Sequence, residues 1–338
     1  MSYESEPAEP GEAGATGTGV THVLVEAGAA GQRLDNWLLR ELKGLPRSLI
    51  YRLLRTGQVR VNGKRAKPDQ RVAEGDKIRL PPRRDTPPES ATPASPQVPK
   101  SLREVIEASI VREDRDLIAI SKPAGLAVHG GSGLSFGVIE TLRAMRPDEN
   151  ELELVHRLDR ETSGLLLVAR NKKTLRELHA LFREGKVEKR YLALVKGQWN
   201  LGRTTVDVPL ATRQKQGGER MVRVHEAGKE ARSTFEAADF FGSRATLMQV
   251  EIDTGRTHQI RVHAAHAGHP VAGDPKSGDR EFTAEMRDLG LERMFLHAQS
   301  ISFDWPTPGR TYQVSVPLPP ELAAVIDQLS ATRRRRRR

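Results

Sequence analysis

The chain has 338 residues, 37% of them hydrophobic: enough to bury a real core and too many for one small domain, so wholesale disorder is excluded and two domains are expected. It contains no cysteine, which rules out disulfides, thiolate nucleophiles and Cys-ligated zinc or iron–sulfur centres. The net charge of +10 is unevenly spread: residues 1–30 carry five glutamates and no Lys or Arg, residues 31–80 hold 13 Lys and Arg against 5 Asp and Glu, and Arg333 to Arg338 form an unbroken basic run.

A polyanion is the natural partner for a short, strongly basic module, because neutralising phosphates releases counterions and supplies affinity without reading sequence. A basic face kept only for solubility is the plainer alternative, and for the arginine tail the two readings are evenly matched. The acidic start is the opposite of a secretory n-region, and no apolar run is long enough to cross a bilayer. A soluble, cytoplasmic protein with no membrane partner is therefore expected.

Residues 1–18 are rich in Glu, Gly, Ala and Pro and predict a disordered leader. From Val20 the alternating VTHVLVEA reads as a strand. Leu34, Trp37, Leu38 and Leu42 then repeat at helical spacing, Gly44 closes that helix, and Pro46 opens a second one carrying Leu49, Ile50, Leu53 and Leu54. VRVNGKRA gives a strand with an Asn62-Gly63 hairpin turn, and DKIRL another strand. Residues 19–80 thus read as a small α/β unit with basic residues on its polar side; Arg33, Arg47, Arg52, Arg55, Lys64 and Arg65 are its candidate contacts to a polyanion.

Seven of the 21 prolines fall between Pro81 and Ser101, which predicts an extended linker over 81–101. Residues 102–327 alternate short β-like runs (DLIAISKP, GLLLVAR, KRYLALVKG, RATLMQVEID, RTYQVSVPL) with a few helical segments such as KKTLRELHALFRE. The expected class is α+β, with a large, mostly antiparallel mixed sheet in this second domain and a basic tail over 328–338.

Four dense segments carry candidate chemistry. LVHRLDRETSGLLLVAR, residues 154–170, places His156, Arg157, Asp159, Arg160 and Glu161 between two apolar runs, with Ser163-Gly164 permitting a turn. A carboxylate at such a turn is held rigidly at a cleft, and the neighbouring Arg157 and Arg160 favour its ionised form. From charge alone, an ordinary turn with surface ion pairs is the favoured explanation. EIDTGRTHQIRVHAAHAGHPVAGDP, residues 251–275, follows a strand with a turn at Arg256 and a helix from near Thr257; Arg256 and Arg261 then lie near the helix start. His258, His263, His266 and His269 lack metal-ligand spacing and any interleaved acid, so no metal is expected there. In VEKRYLALVKG, residues 187–197, Tyr191 follows Lys189 and Arg190; it is suited to stack on a base while the cations hold phosphate, or simply to pack in a core. SKPAGLAVHGGSG, residues 121–133, contains Lys122 and His129 in a Gly-rich loop that lacks the phosphate-loop arrangement.

Together, HRLDRETSG followed by LLLVAR, with KPAGLAVHGG, KRYLALV, TGRTHQIRVH and LHA near residue 297, resemble the RluA family of pseudouridine synthases through residues 102–320. The N-terminal unit is similar to the αL-type RNA-binding domain of a small-subunit ribosomal protein and some tyrosyl-tRNA synthetases. The resemblance implies isomerisation of uridine in large-subunit ribosomal RNA, or its precursor, to pseudouridine with no metal or organic cofactor; a monomer is expected, although nothing in the sequence fixes the oligomeric state. It further implies that Asp159 is the catalytic aspartate, Tyr191 stacks on the target base and Arg261 pairs with Asp159. Arg157 would fill the space left by a flipped nucleotide, and Leu296 would line the uracil pocket, with His156, Arg256 and Lys189 as further substrate-side residues. The sequence departs from the family at Ser277, where many members carry Tyr. A non-catalytic rRNA-binding assembly factor is the alternative from another class. A glycoside hydrolase would need two framed carboxylates, and one is visible.

Overall fold

The computed structural model describes residues 20–42, 45, 47–81, 98–130, 136–214, 220–307 and 309–335. The expected leader over 1–18 and most of the expected linker lie outside these residues. Two units divide the chain, residues 1–95 and 96–338, each with its own core.

In the N-terminal unit, β1 (Thr21–Leu24), α1 (Leu34–Glu41), α2 (Arg47–Arg55), β2 (Arg60–Val61), β3 (Lys64–Arg65) and β4 (Lys77–Leu80) follow in order, and the strands form one sheet in the order β1-β4-β2-β3. Leu34, Trp37 and Leu38 of α1 and Ile50, Leu53 and Leu54 of α2 are buried together with Val61 and Ile78, so the helical periodicity converts directly into core. Asn62 (φ 50°) and Gly63 (φ 77°) are both left-handed, the geometry that lets a two-residue turn join twisted strands.

The second unit opens with α3 (Lys100–Ala108), β5 (Ile110–Glu113), β6 (Leu117–Lys122) and α4 (Val138–Met145). Lys100 and Ser101 are therefore helical and not linker, a correction to the expected boundary: the last proline of the segment, Pro99, is the N-cap that starts the helix. The chain continues through β7 (Glu153–Leu154), β8 (Ser163–Ala169), α5 (Lys172–Arg183), β9 (Glu188–Lys196), β10 (Thr204–Asp207), β11 (Leu210–Gln214), β12 (Arg220–Val224), β13 (Arg232–Phe241) and β14 (Ala245–Ile252). It ends with α6 (Gln259–His266), α7 (Arg280–Asp288), β15 (Leu296–Asp304), β16 (Thr311–Ser315) and α8 (Pro320–Arg335). The last helix corrects the expected tail boundary at 328, because Val325 and Leu329 are both buried and carry the helix past it.

Among the described residues the main sheet has the order β10-β13-β14-β9-β15-β8-β6-β5, with β16 on β15 and β7 on β8, so the fold is mixed α+β. Every pairing is antiparallel except β8 with β15. That parallel join positions the site, since it brings the loop before β8 beside the start of β15 and, through β15, beside Tyr191 of β9. Gly164 makes it possible. Its φ of +111° and the Ala298 backbone where a Cβ would stand both demand glycine, so Ser163-Gly164 is a close approach within the sheet and not the expected turn. The chain turns earlier, where the Thr162 N–H donates to the Asp159 carbonyl at 3.1 Å.

Candidate active site

The β7–β8 loop, the end of β14 with the turn leading into α6, Tyr191 on β9 and Leu296 on β15 enclose one cleft. It is lined by Arg157, Leu158, Asp159, Thr162, Tyr191, Ile252, Leu296 and the run from Gly255 to Arg261. Of the residues singled out in the sequence, Asp159, Tyr191, Arg261, Arg157, Arg256 and Leu296 are thus brought together from four separate segments.

Asp159 is partly covered, its side chain 18% exposed. One carboxylate oxygen, Oδ2, lies 3.6 Å from Nη1 of Arg261 and 3.8 Å from Nε2 of His258. The flanking arginines do not provide its counter-charge as the sequence suggested: Arg160 points away, donating to the Gly125 carbonyl at 2.8 Å, and Arg157 is exposed at the mouth. The positive charge beside Asp159 comes instead from Arg261, which is 3% exposed.

Arg261 can stay in that position because of Asp274, a residue the sequence reading passed over. Its Nε donates to Asp274 Oδ2 at 2.9 Å and its Nη2 to Oδ1. Oδ1 also accepts the N–H groups of Lys276 (2.8 Å) and Ser277 (3.2 Å). Burial alone would raise the Asp274 pKa, but the Arg261 fork and these N–H groups outweigh it and hold the carboxyl below its usual range. Burial likewise disfavours the Arg261 charge, and Asp274 and Asp159 more than restore it. One guanidinium is therefore fixed by a buried carboxylate on its Nε edge while its Nη1 faces a second, accessible one.

His258 stands at the N-cap of α6 in a left-handed conformation (φ 55°), so its imidazole is turned into the cleft at a backbone cost. Burial lowers its pKa, Asp159 partly opposes this, and Arg261 and Lys276 reinforce it, favouring the neutral ring. Gln259, also unrecognised in the sequence, is buried and fastens the turn. Its Oε1 accepts from the Thr254 hydroxyl (2.7 Å) and the Arg256 N–H (3.0 Å), and its Nε2 donates to the Arg232 carbonyl (2.8 Å) and Ser233 Oγ (2.9 Å). Nothing short of the folded arrangement marks a glutamine for that work. The Arg256 guanidinium, exposed at the rim, donates through Nε to the Glu230 carbonyl at 2.9 Å.

The Tyr191 ring, 8% exposed, forms one wall. Burial, assisted by the Asp159 charge, raises its pKa and keeps the phenol neutral. Lys122 braces the floor from behind. Its fully buried ammonium donates to the carbonyls of Pro123 (2.8 Å), Leu126 (3.0 Å) and Arg160 (3.1 Å), tying the end of β6 to the Asp159 turn. Burial pulls its pKa down to about 7, with Glu161 and Asp159 opposing.

Two expected substrate-side residues do not reach the cleft. His156 accepts the Leu167 N–H at 3.1 Å and stacks on Phe182 at 5.4 Å, and burial with the nearby Lys189 lowers its pKa to about 4. Lys189 shares the Tyr191 face of β9 but is buried, with its Nζ 3.4 Å from the Asp253 carbonyl and 5.4 Å above the Phe182 ring. Both pack against the Phe182 ring instead of lining the cleft. Among the described residues no three His, Asp or Glu side chains gather as metal ligands. His263 bonds Ser233 Oγ (3.0 Å), and His269 bonds the Lys196 carbonyl (2.7 Å) and leans on Trp199.

In the N-terminal unit, Arg33, Arg52, Arg55, Lys64 and Arg65 are exposed, and Arg47 opens α2. Arg33, Arg52, Arg55, Lys64 and Arg65 are thus surface cations at the start of α1, on α2 and in the hairpin.

The family model for RNA pseudouridylate synthase matches residues 116–266, and that for the S4 domain matches residues 32–78. The "Ribosomal large subunit pseudouridine synthase C" of Pasteurella multocida is 49% identical over 310 residues, 92% of this chain and 94% of that protein. The chain belongs to the RNA pseudouridylate synthase family. The protein of the same name from Haemophilus ducreyi is 48% identical over 302 residues, 89% of this chain and 93% of that one. Among solved structures, human RNA pseudouridylate synthase domain containing 1 superposes with a TM-score of 0.53 at 27% identity, covering 67% of this chain and 94% of that one. The pseudouridylate synthase match contains Asp159, Tyr191 and Arg261 but stops short of Leu296, which the fold returns to the cleft, and of Asp274, which it returns to the Arg261 guanidinium behind it.

Proposed function

We propose that this pseudouridine synthase isomerises uridines of large-subunit ribosomal RNA, or its precursor, with Asp159 as the catalytic carboxylate. The observation that carries the proposal is the Asp159 carboxylate 3.6 Å from a buried, carboxylate-anchored Arg261, in a cleft walled by Tyr191 and Leu296. The reaction breaks the bond between uracil N1 and the ribose, turns the base and rejoins it through C5. N1 gains a proton, C5 loses one, and the mass is unchanged. Whether the carboxylate attacks the sugar, removes a sugar proton or adds to the base, it must be ionised and rigid at the reacting nucleotide.

The remaining parts follow from what the reaction needs. The target base must leave its stack, which costs a few kcal/mol. Arg157, exposed at the mouth, fills the vacated space, while Tyr191 stacks on the extruded base between Ile252 and Leu296. These apolar walls keep water from the detached uracil until it rebonds. Arg256 at the rim suits a backbone phosphate. Substrate RNA is gripped in addition by Arg33, Arg47, Arg52, Arg55, Lys64 and Arg65 of the N-terminal unit. The reading extends to a monomeric enzyme in the cytoplasm that uses no added cofactor. A non-catalytic binder would have no use for a carboxylate where phosphates gather.

The test is to incubate the full chain with unmodified large-subunit rRNA and no added cofactor, digest the RNA to nucleosides and separate them. A stoichiometric rise in pseudouridine at discrete positions supports the proposal. Tight binding with no pseudouridine refutes it.

A further inference from the structure

The N-terminal unit contains a buried carboxylate whose hydrogen bonds serve two exposed side chains. Asp35, 3% exposed in the first turn of α1, accepts Arg33 Nε (3.1 Å) and the Asn36 N–H (2.9 Å) on Oδ1, and Arg33 Nη2 (2.8 Å) and the Tyr51 hydroxyl (2.8 Å) on Oδ2. Arg33 first, then the Tyr51 hydroxyl and the Asn36 N–H, overcome the effect of burial and bring its pKa down to about 2. Burying a carboxylate is costly unless it is paired, so an Asp spent in this way fixes something. The groups it fixes are an arginine whose side chain is 46% exposed and a tyrosine that is 44% exposed.

A tyrosine in that position would ordinarily swing about its side-chain torsions. Tethered through its hydroxyl to α1, it holds its ring still at the surface of α2, beside a guanidinium that shares the same carboxylate oxygen. Arg52 and Arg55 on the same helix are also exposed. An immobile aromatic face next to a fixed guanidinium offers stacking to a base and charge to its phosphate without the entropy loss of ordering either group on binding.

We propose that Tyr51 and Arg33, held by Asp35, form a binding site for one unpaired RNA base and its adjoining phosphate. A single-stranded loop or bulge is the target, because a ring cannot enter the stacked interior of an A-form helix. The proposal rests on the reading of this unit as an RNA-binding module.

Affinity of the full chain for deproteinised large-subunit rRNA, measured across a salt series, tests it. Stacking releases no counterions, so Tyr51→Ala weakens binding by roughly 5- to 150-fold at every salt concentration without changing the slope of log K against log salt. Tyr51→Trp restores affinity, and Tyr51→Phe, which keeps the ring and loses the tether, falls between. Arg33→Gln reduces the slope by about 0.7. Thermal unfolding of each variant checks that the surface change leaves the fold intact. Wild-type affinity in Tyr51→Ala, or failure of Tyr51→Trp to recover it, overturns the stacking site. The double variant Arg52→Gln/Arg55→Gln separates this from the underlying reading. If it binds weakly while Tyr51→Ala does not, only the stacking site fails; if it too binds as wild type, the RNA-binding role of this surface fails.

Discussion

Replacing Asp274 by Asn removes one charge and almost no volume, and tests whether Asp159 depends on a residue that is not itself in the cleft. Arg261 now lies between two carboxylates, at 2.9 Å from Asp274 and 3.6 Å from Asp159. With an effective dielectric near 20, each attraction is about 5 kcal/mol before desolvation. Asp274→Asn deletes the first and leaves a guanidinium that is 3% exposed with Asp159 as its remaining carboxylate partner. Breaking a buried pair costs about 3–5 kcal/mol. The lower figure applies, since Asn keeps an acceptor for Nε and corresponds to roughly 6–12 °C of melting temperature for a unit of this size. Arg261 is then drawn toward Asp159 and displaces it, and a misplacement of about 1 Å lowers a rate by about 100-fold. Differential scanning calorimetry and single-turnover kinetics on saturating rRNA measure the two effects. An Asp274→Asn chain with wild-type melting temperature and wild-type turnover would refute the anchoring role.

Gly164→Ala should destabilise the catalytic unit by about 2–5 kcal/mol, combining a positive φ with a Cβ driven into the Ala298 backbone; urea unfolding that matches wild type would contradict the close approach. Acid should weaken the same unit through His297, which is fully buried against Ser163 Oγ and whose pKa burial lowers to about 4. The unfolded chain takes up that proton near pH 6.5 and the folded chain refuses it, so stability is full above pH 6.5 and falls by about 3 kcal/mol as pH drops toward 4. His297→Gln should flatten this part of the pH dependence, and urea midpoints at pH 7 and 4.5 that shift as much in the variant as in wild type would sink the assignment.

The residues that meet at the cleft were visible in the sequence where chemistry and local pattern coincide: a carboxylate framed by two apolar runs, a rare tyrosine on a strand, an arginine one turn into a helix. What the sequence could not supply was the partner across space. Asp274 lies 13 residues beyond Arg261, after a helix and a turn, and only the folded chain returns it to the guanidinium. Gly164 was visible as a glycine, but whether it makes a turn or a close approach depends on β15, more than a hundred residues away. His156 and Lys189 look functional by charge and proximity to their neighbours. Their burial against Phe182 comes from α5, which packs on the sheet between the two segments that carry them. The sheet class was readable from short apolar runs between turn residues, whereas the parallel pairing of β8 with β15 that builds the cleft leaves no local trace.

The most direct test of the account uses rRNA carrying tritium at uracil C5, which is released to water only when a new bond forms at that carbon. Wild type and Asp159→Asn are compared in single turnover with saturating enzyme. The account predicts stoichiometric release by wild type and, from a variant that still folds and binds RNA, none above background. Release by Asp159→Asn at a rate near wild type would show that the carboxylate beside Arg261 is not the catalytic group.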